Sequence, residues 1–185
     1  LDEYGNKRSR AVFDFADSVC NHDNWLYYTT ILYGRKVSSA SDVEAIDLEF
    51  ETLDWLKHHS GDSSRYTINQ YTNIAQRYKW YDNPIKSIEY YEKAIMEADK
   101  YKCIHDTLLA DWHLELFTIF DVDIGDNIRA DLHSRRYLEL RDNNRNDDFY
   151  YIKVRSLIEE FKYKEAVDIV MNNDIMKTIK DESAL

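Results

Sequence analysis

One proline and four glycines in 185 residues leave too little turn chemistry for the many hairpins of an all-β protein, so the chain is expected to be mostly helical. Two cysteines, Cys20 and Cys103, stand far apart and outside any CxxC pattern; they supply neither a disulfide framework nor a metal knuckle, and they fit a reducing compartment. No stretch approaches the roughly 18 to 20 uninterrupted apolar residues of a membrane span, and no apolar signal core opens the chain. The expectation is a cytoplasmic protein, at most peripheral to membranes. Its first residue, Leu1 rather than Met, is read as a trimmed or processed start, with N-terminal elements missing. Basic side chains are scarce as well: 24 Lys and Arg against 35 Asp and Glu give a net charge of −11. That balance argues against nucleic acid as a partner, because phosphates are gripped by clustered Lys and Arg.

What the chain does have is a recurring helix opening, a small residue with an apolar one beside it: Glu44-Ala45-Ile46, Lys86-Ser87-Ile88, Arg129-Ala130-Asp131-Leu132 and Glu165-Ala166-Val167. The small positions are 42, 43 and 36 residues apart, the period of a helical-hairpin repeat. A hairpin of this kind cannot bury its apolar face alone; neighbours cover it, and the stack offers a surface to other macromolecules. Fifteen Tyr and four Trp add large apolar area with polar edges suited to a groove wall. The expected fold is therefore all-α, a tetratricopeptide-like helical-hairpin solenoid forming a twisted sheet of antiparallel helices. It is drawn as a single repeat domain over residues 1–185, with 176–185 a mobile C-terminal tail, and the expected activity is binding rather than catalysis.

Local signals place the helices. Residues 8 to 22 and 25 to 37 read as one hairpin about Asp23-Asn24. Ser41 with Glu44 three residues on is a capping pair, and Gly61 closes the helix that follows. Ile68, Tyr71, Ile74, Ala75 and Tyr78 repeat at a period near 3.6, and Asn83-Pro84 opens the next stripe, Ile85 to Ala98, with Pro at the first helical position where no donor is lost. Helices over 107 to 120 and 126 to 140 are separated by a turn at 121 to 125. A polar loop, 142 to 146, precedes a helix opened by Asp147 and a shorter one around Ala166, and the last residues, 175 to 185, are amphipathic and then acidic.

Arg135, Arg136, Arg141 and Arg145 lie within eleven residues, with Arg129 just before them. They read either as a solvated face paired with Asp131, Glu139 and Asp142 or as a docking face for an acidic partner. Chemistry-bearing motifs are sparse. The run Asp121 to Asp126 lacks the spacing of a calcium loop, with Gly125 at the fifth position and Leu132 at the twelfth. His58-His59 and His113 with Glu115 have no metal-ligand spacing and are read as structural. No nucleophile elbow, phosphate-cradling loop or redox pair is present, so no catalytic residue, metal or cofactor is expected.

Three segments in order, EAIDLEFETLDWL, YTNIAQRYKW and the proline-led IKSIEYYEKAIMEADKYK, followed by NRNDDFYYIKVRSLIEEFKYKEAVDIV and a terminal IMKTIKDESAL, resemble the soluble NSF-attachment protein family of vesicle-fusion adaptors (alpha-SNAP-like) over residues 40 to 185. The chain looks like a divergent, shortened member. Between Tyr101 and Asp126 it is about one hairpin shorter, and no counterpart of the family's N-terminal aromatic membrane-attachment loop is evident. The resemblance implies an adaptor in vesicle trafficking and intracellular protein transport. A basic face (Arg129, Arg135, Arg136, Arg141, Arg145) would grip a SNARE-type helical bundle, and Asp181, Glu182 and Leu185 would engage an NSF-type ATPase. The alternative from another class is a generic tetratricopeptide-like interaction or regulatory module, a viral or bacterial mimic without SNARE binding.

Overall fold

The computed structural model describes residues 42–141 and 147–172. Ser41, the loop at 142–146 and the C-terminal residues, with their expected cap, tail and contacts, lie outside the described residues, as does the first expected hairpin. Described are α1 (Asp42–Ser60), α2 (Arg65–Trp80), α3 (Pro84–Tyr101), α4 (Asp106–Thr118), a π-helical segment (Ile119–Ile124), α5 (Asn127–Arg141), α6 (Asp147–Glu159) and α7 (Tyr163–Asn172). Among the described residues there is no strand, so the chain is all-α. It divides into two compact units, Leu1–Ile104 and His105–Leu185.

In the first unit α2 and α3 form an antiparallel hairpin, with α1 packed on α2. Gly61 and Asn83-Pro84 bound the helices as expected, and Ser64 adds a further cap. Gly61 takes the left-handed conformation (φ 79°) after α1, which any Cβ would strain. The Ser64 hydroxyl accepts from the Tyr66 amide at the start of α2. Asn83 accepts from the Lys86 amide at 3.1 Å, with Pro84 at the first helical position. In the second unit α4 pairs with α5, α6 with α7, and α5 also packs on α6.

The repeat is visible residue by residue. Ala45, Ser87, Ala130 and Ala166 are each the fourth residue of α1, α3, α5 and α7, and all four are buried. In the first three of these helices the eighth, eleventh and fifteenth residues are buried too: Glu49, Thr52 and Leu56; Tyr91, Ala94 and Ala98; Ser134, Tyr137 and Arg141. These positions share one face at helical spacing. Helix α2 buries Ile68, Tyr71, Ile74 and Ala75, and α4 buries the residues 42 further on, Ala110, His113, Leu116 and Phe117. The apolar neighbours of the small positions behave less uniformly: Ile88 is buried, whereas Leu132 and Val167 are exposed.

Polar side chains on the buried face need partners. Glu49 receives the Gln70 Nε2 at 2.6 Å, and the Arg77 Nε lies 3.4 Å from its other oxygen; burial outweighs these bonds and pushes its carboxyl above the usual range. Ser87 is different. It is fully buried, and its Oγ has no hydrogen-bond partner among the described residues. Ser87→Ala, which copies the other three repeats, removes a desolvated hydroxyl and improves helix propensity. It is expected to stabilise the protein by about 1 kcal/mol, a rise in Tm of about 2 to 4 °C. A melt showing no rise would mean that the hydroxyl is satisfied.

Candidate functional site

Of the residues singled out in the sequence, Asp121 to Asp126, His113, Arg129, Arg135, Arg136 and Arg141 belong to the second unit, along α4, the π segment and α5. The run read as a turn, 121 to 125, is instead mostly helix: α4 widens into the π segment, which ends at Gly125 in the left-handed conformation (φ 74°, ψ 24°). Its carbonyl at Phe120 accepts the amides of Gly125 and Asp126, the latter at 2.8 Å. A π turn carries one residue more than an α turn and is enriched at functional sites. Here it turns Asp121 toward α6, where Arg155 clamps both carboxylate oxygens at 2.6 and 2.5 Å, donates also to Glu159 at 3.1 Å, and lies 5.1 Å over the Phe117 ring. The Arg155 bonds hold Asp121 below the usual carboxylate range. Asp121 to Asp126 therefore holds an ion pair and a helix cap. Among the described residues no cluster of three metal-ligating side chains exists.

Asp126 opens α5: its Oδ1 accepts from the Arg129 amide at 3.1 Å and its Oδ2 from the Arg129 side chain at 2.7 Å, which lowers its pKa. The other arginines also find carboxylates along the same helix, Arg135 with Asp131 at 2.6 Å and Arg136 with Glu139 at 2.8 Å. These three stay on the outer side of α5. Arg141 does not join them. As the fifteenth residue it turns inward, buried, with its guanidinium on Asp111 of α4. Arg145, Asp181, Glu182 and Leu185 lie outside the described residues.

Sequence reasoning missed what the arginines surround. On the same outward face, one turn apart, stand Ile128 and Leu132, 85% and 64% exposed. The signal was available: Ile128 and Leu132 are an i, i+4 pair on the side opposite Ala130, Ser134 and Tyr137. A separate cleft between α4, α5 and α6, lined by Phe117, Asp131, Ser134, Ile152 and Arg155, has room for about one water molecule. That is too small for an organic substrate.

His113, read as structural, faces His133 of α5 across 2.9 Å, Nδ1 to Nδ1, with both rings buried. Burial, and then the Arg129 charge, push His133 down to about 4. His58 and His59 do not converge on a ligand site: their rings meet edge to face, and His59 stacks on Trp55 and reaches the Trp55 carbonyl at 2.8 Å. No described helix is long and apolar enough to cross a membrane.

No protein-family model matches the chain, and no curated protein matches it in sequence. Among solved structures it is similar to BtubC (BKLC) from P. vanneervenii, with a TM-score of 0.69 and 14% identity over 93% of this chain and 72% of that one. At that identity the likeness speaks to fold alone, and the fold is the all-α helical-hairpin class expected from the repeat.

Proposed function

We propose that this chain is a non-enzymatic module that binds other proteins, with the outer face of α5 as its docking surface. The observation that carries this reading is the exposed pair Ile128 and Leu132 on a helix whose opposite side is fully packed. Covering such a side chain is worth about 1.5 to 3 kcal/mol. The arginine–carboxylate pairs beside it make the polar rim that surrounds apolar anchors in protein interfaces. A helix with an apolar stripe fits this surface best.

A narrower proposal comes from the family resemblance. In it the chain is a cytoplasmic SNAP-like adaptor of vesicle trafficking, peripheral to membranes at most, that binds a SNARE-type bundle through Arg129, Arg135 and Arg136 and presents Asp181, Glu182 and Leu185 to an NSF-type ATPase. The pairing within α5 favours the broader reading. An acidic bundle would have to compete with Asp126, Asp131 and Glu139 for the same guanidinium groups.

Both readings are tested with the immobilised full chain. Ile128→Asp with Leu132→Asp is expected to weaken capture of protein partners at least about tenfold, mainly through faster dissociation. Arg135→Glu with Arg136→Glu should slow association chiefly at low salt. A soluble SNARE four-helix bundle that binds the wild type, and ATPase stimulation lost on removing residues 181–185, would support the adaptor; no bundle binding removes it. Capture unchanged by the aspartate pair overturns the assignment of the docking face.

A further inference from the structure

The two helices of the α4–α5 hairpin are joined by a buried pair of imidazoles. With the Nδ1 atoms of His113 and His133 at 2.9 Å and the residues 7% and 9% exposed, one ring donates and the other accepts. Phe120 lies flat on His133, ring centres 5.5 Å apart and planes 9° from parallel, and the Arg129 guanidinium lies 4.4 Å over Phe120. In the preceding hairpin the equivalent positions of α2 and α3 hold Tyr71 and Tyr90. Of the two hairpins, only the second places imidazoles at this junction. We propose that the His113–His133 pair is an acid-sensitive latch, which holds α4 to α5 while both rings are neutral and releases them when a ring takes a proton.

The chemistry of release follows from the geometry. A proton arriving on the accepting Nδ1 sets two N–H groups face to face and ends the hydrogen bond. One arriving on the far nitrogen of the donor ring keeps the bond but leaves a cation in a desolvated site. Around His133 the neighbouring charge works against it. Arg129 on α5 repels it; Asp126 and Asp131 are held by Arg129 and Arg135, and Asp111 on α4 by Arg141. Asp121 on the π segment and Glu159 on α6 are held by Arg155. Because the folded ring resists protonation more than the unfolded one, its contribution to stability is whole above about pH 6.5 and is lost as the pH falls from there toward 4.

The test is a set of thermal melts of the full chain between about pH 7.5 and 4.5, for the wild type, for His133→Gln, and for His113→Tyr with His133→Tyr, which installs the residues that the preceding hairpin has at these positions. The wild type is expected to lose about 5 to 10 °C of Tm over this span, with amide exchange rising in residues 106 to 141 before residues 65 to 101. Both variants should show a flatter profile. Equal slopes in wild type and variants would overturn the latch. Should either variant fail to fold at the upper pH, titration of the wild-type ring nitrogens by NMR decides. His133 protonating well below the ordinary range, together with loss of the α4–α5 amide pattern, supports the proposal; His133 protonating near 6.5 with the pattern intact sinks it.

Discussion

Replacing Phe120 by Ala is expected to cost about 3 to 5 kcal/mol, the range for deleting a buried aromatic ring. The ring is 0% exposed. One face is shared with His133, and the Arg129 guanidinium lies over the ring as well, so its loss leaves a cavity and removes a stacking and a cation–π contact together. Two consequences separate this from a generic core mutation. Water admitted beside His133 should raise the proton affinity of the imidazole toward its ordinary value, which flattens the dependence of stability on pH. Phe120→Leu, which keeps most of the volume, should cost much less and leave the pH profile steeper. Denaturant midpoints for the two variants at about pH 7 and pH 5 check both statements, and a loss below about 1 kcal/mol for the alanine variant would show that the ring is not the keystone of this junction.

Arg155→Ala is expected to cost about 2 to 3 kcal/mol at neutral pH. The residue ties α6 to the π segment through a two-pronged bond to Asp121, adds Glu159, and covers Phe117. Removing one partner of a buried pair typically costs 3 to 5 kcal/mol, but here the Arg155 and Asp121 side chains keep 30% and 21% of their exposure, so solvent screens part of the interaction. The depressed pKa of Asp121 gives the sign of the pH effect. The pairing contributes fully above the usual carboxylate range and is lost as the pH falls through it, so the cost of the substitution should shrink in acid. A double-mutant cycle with Asp121→Asn isolates the pair: a coupling near zero would mean that Arg155 acts through its packing on Phe117. Arg155→Lys should not rescue, because a single ammonium cannot reproduce the fork.

The sequence carried the helices and their spacing because those depend on near neighbours. The stripe from Ile68 to Tyr78, the Asn83-Pro84 start, the left-handed Gly61 and the four small positions all stand where the structure has them, since periodicity and caps act within a turn or two. What escaped is held by partners distant in sequence. The π segment looked like a turn because its polar run and Gly125 imitate one, while the Arg155 clamp that accompanies it is 34 residues away. The His113–His133 pair spans 20 residues and two helices, so no local pattern announces it. Arg141 was grouped with Arg135 and Arg136 by nearness along the chain; five residues beyond Arg136 is about 140° round the helix, enough to turn it from solvent to the Asp111 side.

The division after Ile104 has an optical consequence. The chain has four tryptophans, and only Trp112 belongs to the His105–Leu185 unit, where it is 4% exposed on α4, one residue from His113. A variant in which Trp55 and Trp80, together with Trp25, are replaced by Phe would thus emit from the α4 core alone. Its fluorescence would follow that half of the molecule through acid and denaturant while the peptide circular dichroism averages over both. Where the two signals part company, the halves melt as separate cooperative units, and a single unfolding free energy for the whole chain has no meaning.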